Sequence, residues 1–128
     1  KLLENPKTIF VSSFILGNNI LKLKKEENYI SCCIGEINTS TLEGKNNIKF
    51  ISISPKFIFI ERSNEGDAFI VSKEFLGEYF IYKISIRGET LRARTKLNKD
   101  FSIGDKCFLS IAKDSFFFVY PGAIKLFI

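Results

Sequence analysis

Apolar and polar residues alternate most cleanly between Tyr79 and Leu97. Phe80, Tyr82, Ile84 and Ile86 alternate with Tyr79, Ile81, Lys83, Ser85 and Arg87; Leu91, Ala93, Thr95 and Leu97 then alternate with Arg92, Arg94 and Lys96. A period of two is the signature of a half-buried strand. Gly88-Glu89, between the two runs, fits a tight hairpin turn with glycine in the first central position. Folded as a hairpin, the runs gather their apolar sets on one face. The other face carries Lys83, Arg87, Arg92, Arg94 and Lys96, a candidate electrostatic face, and of the hairpin's aromatics only Tyr79 shares it.

Shorter strand signals recur on either side. Ile20 to Lys24, Tyr29 to Ile34 (closed by Gly35), Ile48 to Ser54, Phe57 to Glu61, Lys106 to Ala112 and Phe116 to Tyr120 all have strand length, the last ending at Pro121-Gly122. Pro55 interrupts a ladder, as at a strand end or sheet edge. Lys24 to Asn28, Asn38 to Asn47, Ser63 to Asp67 and Phe101 to Gly104 read as turns and loops. Short strands at regular spacing predict a mainly β fold, a sandwich or small barrel.

One stretch departs from this pattern. Asn5-Pro6 is a helix start, because Asn caps and Pro needs no amide at the first helical position. Ile9, Phe10 and Phe14 then share one side of a short helix, which Gly17 ends. About three turns of amphipathic helix are marginal alone in water and need an apolar surface.

At 128 residues the chain suits one domain with one core. Apolar residues make up 45%, which excludes a disordered or fibrous chain. The first residue is Lys, and Met is absent, so the chain is expected to be a piece of a longer protein. No apolar run approaches the ~20 residues of a spanning helix. A net charge of +5 permits an acidic partner without demanding one. Three cysteines without a C-x-x-C spacing suggest reduced thiols. Cys32 and Cys33, adjacent in a strand-like run, are expected to point to opposite faces.

The inventory argues against catalysis. With no His there is no Ser-His or Cys-His nucleophile and no imidazole metal site. A P-loop is missing too: Asn46 follows Gly44-Lys45, and Thr39 stands where the first glycine belongs. The expectation is no enzyme, no metal site and no cofactor site within these residues.

Several short motifs in order resemble the C-terminal part of ATP-binding subunits of ABC importers. Phe10, Val11, Ser12, Phe14, Ile15 and Asn19 match the family's F-V-A-x-F-I-G-x-x-N, where the ATPase domain ends. Phe75-Leu76-Gly77, Gly88, Leu91-Arg92-Ala93-Arg94, Gly104-Asp105-Lys106-Cys107 and the apolar Phe116 to Tyr120 match the regulatory domain called TOBE. The family's G-I-R-P-E element reads Ser52-Ile53-Ser54-Pro55-Lys56 here, with Ser and Lys in place of Arg and Glu.

The resemblance implies a small oligomer-binding-fold-like barrel over 19–128, after a linker helix over 1–18 from an ATPase domain upstream. It implies a regulatory and dimerisation role, with a second copy and ABC permease subunits as partners. The importer would carry polyamine, ferric iron or a similar small solute. ATP and Mg would belong to the ATPase domain. The place would be cytoplasmic, at the inner face of the cell membrane and held there only through the transporter. Ser54, Pro55 and Lys56 become a candidate subunit or regulatory contact. The alternative is a stand-alone oligomer-binding module for single-stranded nucleic acid. It rests on the charge and the basic hairpin face, and is disfavoured because the hairpin's other aromatics face away from its cations.

Overall fold

The computed structural model describes residues 17–25, 29–37, 48–121 and 124–127. In chain order its strands are β1 (Asn19–Lys22), β2 (Lys24–Lys25), β3 (Ile30–Cys32), β4 (Gly35–Ile37), β5 (Phe50–Ile53), β6 (Ile58–Arg62), β7 (Ala68–Phe75), β8 (Tyr79–Ile86), β9 (Glu89–Lys96), β10 (Lys106–Ile111), β11 (Phe116–Tyr120) and β12 (Ile124–Phe127), with a 3-10 turn at Pro55–Phe57. The protein is mainly β, as the alternation predicts. The helix expected from Asn5 lies outside the described residues.

The chain divides into two compact units, residues 1–54 with 113–128, and residues 55–112. In the first unit a four-stranded antiparallel sheet runs β1-β5-β11-β12, beside a three-stranded sheet β2-β3-β4. Leu21, Ile51 and Val119 meet across the ladder on one face and are fully buried. Ser52, Phe118 and Tyr120, on the opposite face, are buried as well. Burial on both faces is why β11 reads as a continuous apolar run rather than an alternation. Asn18 Nδ2 donates to the Ser52 hydroxyl at 3.0 Å, so that buried polar group is satisfied.

Two details differ from the pattern. Cys33 is not in a strand: Cys32 pairs with Gly35, so Cys33-Ile34 form the two-residue turn of the β3–β4 hairpin. Both side chains are nevertheless buried, and neither is in a disulfide. Nor is Phe116–Tyr120 the last strand, because β12 returns along it with Phe117 opposite Leu126.

The second unit is one antiparallel sheet in the order β6-β10-β7-β8-β9. The β8–β9 register pairs Tyr82 with Ala93 and Ile84 with Leu91, as expected of the inward set, but Leu97, expected with them, lies past the end of β9 and is exposed. The four paired side chains, with Ile70, Ile86, Ile60 and Cys107, form the core. Each large apolar side chain there contributes about 1.5–3 kcal/mol. The turn sits one residue earlier than expected. Ile86 pairs with Glu89, so the central positions are Arg87 and Gly88, at φ 49° and 81°. Two positive φ values make a type I′ turn, whose twist matches the flanking strands, whereas glycine in the first position only would give type II′.

In β7 the register slips between Ile70 and Ser72, so Val71 is an extra residue. This bulge moves Lys73 to the inner side opposite Tyr82, while Ser72 faces outward beside Lys83. The sheet is open. β9 comes into contact with both β6 and the 3-10 turn, yet no ladder joins β6 to β9, and none of the three sheets closes into a hydrogen-bonded barrel among the described residues.

Candidate functional site

The long loop between β9 and β10 is fixed from inside. Tyr82, fully buried, donates its hydroxyl to the Lys99 carbonyl at 3.0 Å and accepts from the Phe101 amide at 2.9 Å. Its ring meets Phe101 edge-on with centroids 5.5 Å apart, a favourable geometry for two quadrupoles. Asp105 closes the same loop. It accepts from the Ser102 amide at 2.8 Å and from Arg62 Nε at 3.2 Å. The Ser102 hydrogen bond, and after it the Arg62 charge, hold the Asp105 carboxyl below its usual range. Gly104 donates to the Ile70 carbonyl at 2.8 Å and Ile70 to the Asp105 carbonyl at 3.0 Å, so the Gly-Asp motif stitches this loop to β7.

The predicted electrostatic residues divide into two groups. Lys83 lies directly opposite Arg92 on the outer face, with Arg94 and Lys96 further along β9 and all four exposed. Arg94 stacks over the Tyr79 ring at 4.6 Å. Arg87 is set apart: it occupies the turn, and its guanidinium pairs with Asp67 at 2.8 Å. Of the candidate contact residues, Ser54 is half-buried after β5, Pro55 is buried at the start of the 3-10 turn, and Lys56 is exposed with its ammonium 5.1 Å from the Phe57 ring.

The ladder also brings together residues far apart in the chain that no local pattern associates. Phe59 is paired with Ser110, Phe108 with Glu61, and Phe69 with Lys106. In an antiparallel sheet this register makes Phe59, Phe108 and Phe69 successive diagonal neighbours across β6, β10 and β7. They are 44%, 44% and 47% exposed, and Val71, at 43%, extends the patch beside Lys83. The result is a phenylalanine stripe on the outer face, with Lys106 and Glu61 as direct ladder partners and Lys83 and Arg92 further across the same face. Strand alternation marks each of these residues as outward, but no local signal marks them as neighbours.

A second feature lies at the open seam. Lys56, Arg94, Lys96 and Lys99 line a half-open groove of about 370 Å³ with Phe59 and Phe101. One candidate contact residue and two of the electrostatic face thus meet at one place. No carboxylate is among the lining residues.

Among the described residues no group of three or more His, Cys, Asp or Glu could hold a metal ion, and no helix is long and apolar enough to cross a membrane. Cys107 is buried beneath the sheet, and burial, then the charges of Asp105 and Asp67, push its thiol up to about 11. Such a thiol is a poor nucleophile at neutral pH. In comparisons with known proteins, no family model and no curated sequence matches the chain.

Proposed function

We propose that this chain is a TOBE-type accessory domain of an ABC importer's ATP-binding subunit, non-catalytic itself, which steadies the assembly through contact with a second copy. The phenylalanine stripe carries this reading. Exposed aromatic side chains in a contiguous patch, rimmed by charge, mark interaction surfaces rather than ordinary solvated ones. The quoted motifs support it as well. Gly77, at φ 89°, opens the turn between β7 and β8, Leu91 and Ala93 point inward while Arg92 and Arg94 point outward, and Gly104-Asp105 ties the loop to β7. Gly77, Leu91, Ala93, Gly104 and Asp105 therefore each have an architectural task in the sheet of the second unit. In this reading the second unit is the curled part of an oligomer-binding-like barrel, and the permease subunits hold the whole at the inner face of the membrane.

Two measurements test it. Sedimentation velocity across a concentration series should show reversible self-association; a monomer at all concentrations overturns the contact role. Reading the gene upstream of the codon for Lys1 should reveal a P-loop followed by the ABC signature; their absence overturns the transporter assignment.

A second reading draws on the same surface. Phe69 stands opposite Lys106 and shares the outer face with Phe108, Lys83 and Arg92, so aromatics and cations do share one face, the pairing that single-stranded nucleic acid requires. Fluorescence anisotropy with a short labelled single strand separates the two: affinity that falls steeply with salt favours nucleic acid.

A further inference from the structure

The seam groove combines properties that a solvated edge does not need. β6 and β9 are the two ends of the sheet, and their Cα atoms approach within 8 Å with no ladder between them. An extended strand inserted there would need two ladder spacings of ~4.8 Å each, so the gap is too narrow for an added strand. What the gap does hold is a cavity of about 370 Å³. That lies within the ~300–1,000 Å³ of small-molecule sites.

Its lining has two chemistries. Phe59 and Phe101 supply apolar walls, and Lys56, Arg94, Lys96 and Lys99 bring four cations to one opening. The Lys99 ammonium lies 5.4 Å from the Phe59 ring, so charge and aromatic surface are juxtaposed. Like charges gathered around a concave, partly apolar surface focus a positive potential into it. The walls reward an apolar body and the rim rewards a negative head. An inorganic anion alone would leave the walls unused; a neutral apolar compound would leave the cations facing one another.

We propose that this groove is a binding site for a small organic anion, a flat apolar body bearing a carboxylate, sulfonate or phosphate. Lys56 and Lys99 grip the head from the two sides of the seam, Arg94 and Lys96 set the field, and Phe59 with Phe101 hold the body. The site stands on the seam alone, so it survives if the chain proves unrelated to importers.

Anilinonaphthalene sulfonate is a suitable probe, being a fluorescent aryl anion. Titrated into the folded chain, it should bind saturably at one site, and amide shifts in a nitrogen-15 correlation spectrum should cluster at Lys56, Asn98, Lys99 and Phe101. Lys56→Ala with Lys99→Ala should weaken binding about tenfold, while Lys83→Ala, on the outer face, should not. Inorganic phosphate should displace the dye no better than sodium chloride of equal ionic strength. Near-UV circular dichroism checks that each variant is folded, and Lys96→Glu provides an independent charge change at the same rim. Shifts that centre on Phe108 and Phe69, outside the groove, or that spread over the chain would overturn the site. So would unchanged affinity in both the double variant and Lys96→Glu, or displacement by phosphate alone.

Discussion

The Tyr82 hydroxyl and the Phe101 amide are joined at 2.9 Å inside the core, and the same hydroxyl donates to Lys99. One side chain thus satisfies a donor and an acceptor of a loop that strand ladders do not reach. Tyr82→Phe keeps the ring and the contact with Phe101 but leaves that buried amide without a partner. Stranding a buried polar group costs about 1–3 kcal/mol. Urea unfolding should show a lower midpoint at unchanged slope. An unchanged midpoint would mean that water takes the hydroxyl's place.

Gly66 tests a different constraint. A Cβ there would lie 2.1 Å from the Cys107 carbonyl oxygen, a backbone atom that cannot swing aside. Gly88, by contrast, has open space around its Cβ position but a φ of 81°. Gly66→Ala therefore forces β10 away from the 63–67 loop and should cost at least the 1–3 kcal/mol typical of overpacking. Gly88→Ala meets only backbone strain, roughly 1–2 kcal/mol. Thermal unfolding of the two variants should rank them in that order, and the reverse ranking would refute the close approach.

The acid and alkaline limits follow from three groups. The folded-state pKa of Asp105 is lowered from 3.8, so the unfolded chain binds its proton first as pH falls. The stability it contributes is present above about pH 4 and is lost as pH falls through the folded value. Cys107 and Lys73 behave oppositely. Cys107 rises from 9.0 to about 11 by burial, and Lys73 rises from 10.5 through its hydrogen bond to Asp100. Their contributions are intact below the unfolded values and disappear as pH climbs through the folded ones. Stability measured between pH 9 and 11 should therefore decline. Cys107→Ala should flatten that decline, and Asp105→Asn should flatten the acid limb. In addition, a thiol reagent at pH 8 should label Cys107 only at the rate of unfolding.

Lys83 and Arg92 oppose each other on the outer face, and like charges directly across a ladder destabilise it. Lys83→Glu converts them to an attractive pair and should raise stability by about 0.2–1 kcal/mol. Under the nucleic-acid reading the same change removes one phosphate contact and lowers the salt slope by about one unit. Unfolding and anisotropy on one variant therefore report the structural and the binding roles separately.

How much of this was legible in the chain depends on the distance between partners. The β8–β9 hairpin was legible because its period of two is local, and its inward set of Tyr82, Ile84, Leu91 and Ala93 is as expected. β7 was hidden because the bulge at Val71 breaks the alternation between Ile70 and Ser72. β12 was hidden behind Pro121-Gly122, which reads as an end. The turn sits one residue before the expected place because a non-glycine at positive φ is rare, and Arg87 accepts φ 49° with its guanidinium tied to Asp67. The site was half legible. Arg94 and Lys96 follow from the hairpin, but the meeting of Lys56, Phe59 and Lys99 with them depends on non-local curling of the sheet, which no local pattern encodes.

The stripe makes the sharpest claim about association. Phe69 and Phe108 have no role in the core: both are nearly half exposed, and their Lys106 and Glu61 ladder partners are polar. Replacing them should therefore leave the fold intact, since surface substitutions usually change stability by within about 0.5 kcal/mol. If a second copy covers the stripe, Phe69→Ser with Phe108→Ser removes two aromatic anchors from the centre of that contact. Anchors of this kind dominate interface energy, each costing about 2 kcal/mol or more when truncated. Both copies lose both anchors, so dimerisation weakens by at least roughly a thousandfold, at about 1.4 kcal/mol per factor of ten. Sedimentation velocity should then find monomer where the parent is dimer, with the unfolding midpoint unchanged. A dimer that persists in the double variant would move the contact elsewhere and leave the stripe to nucleic acid.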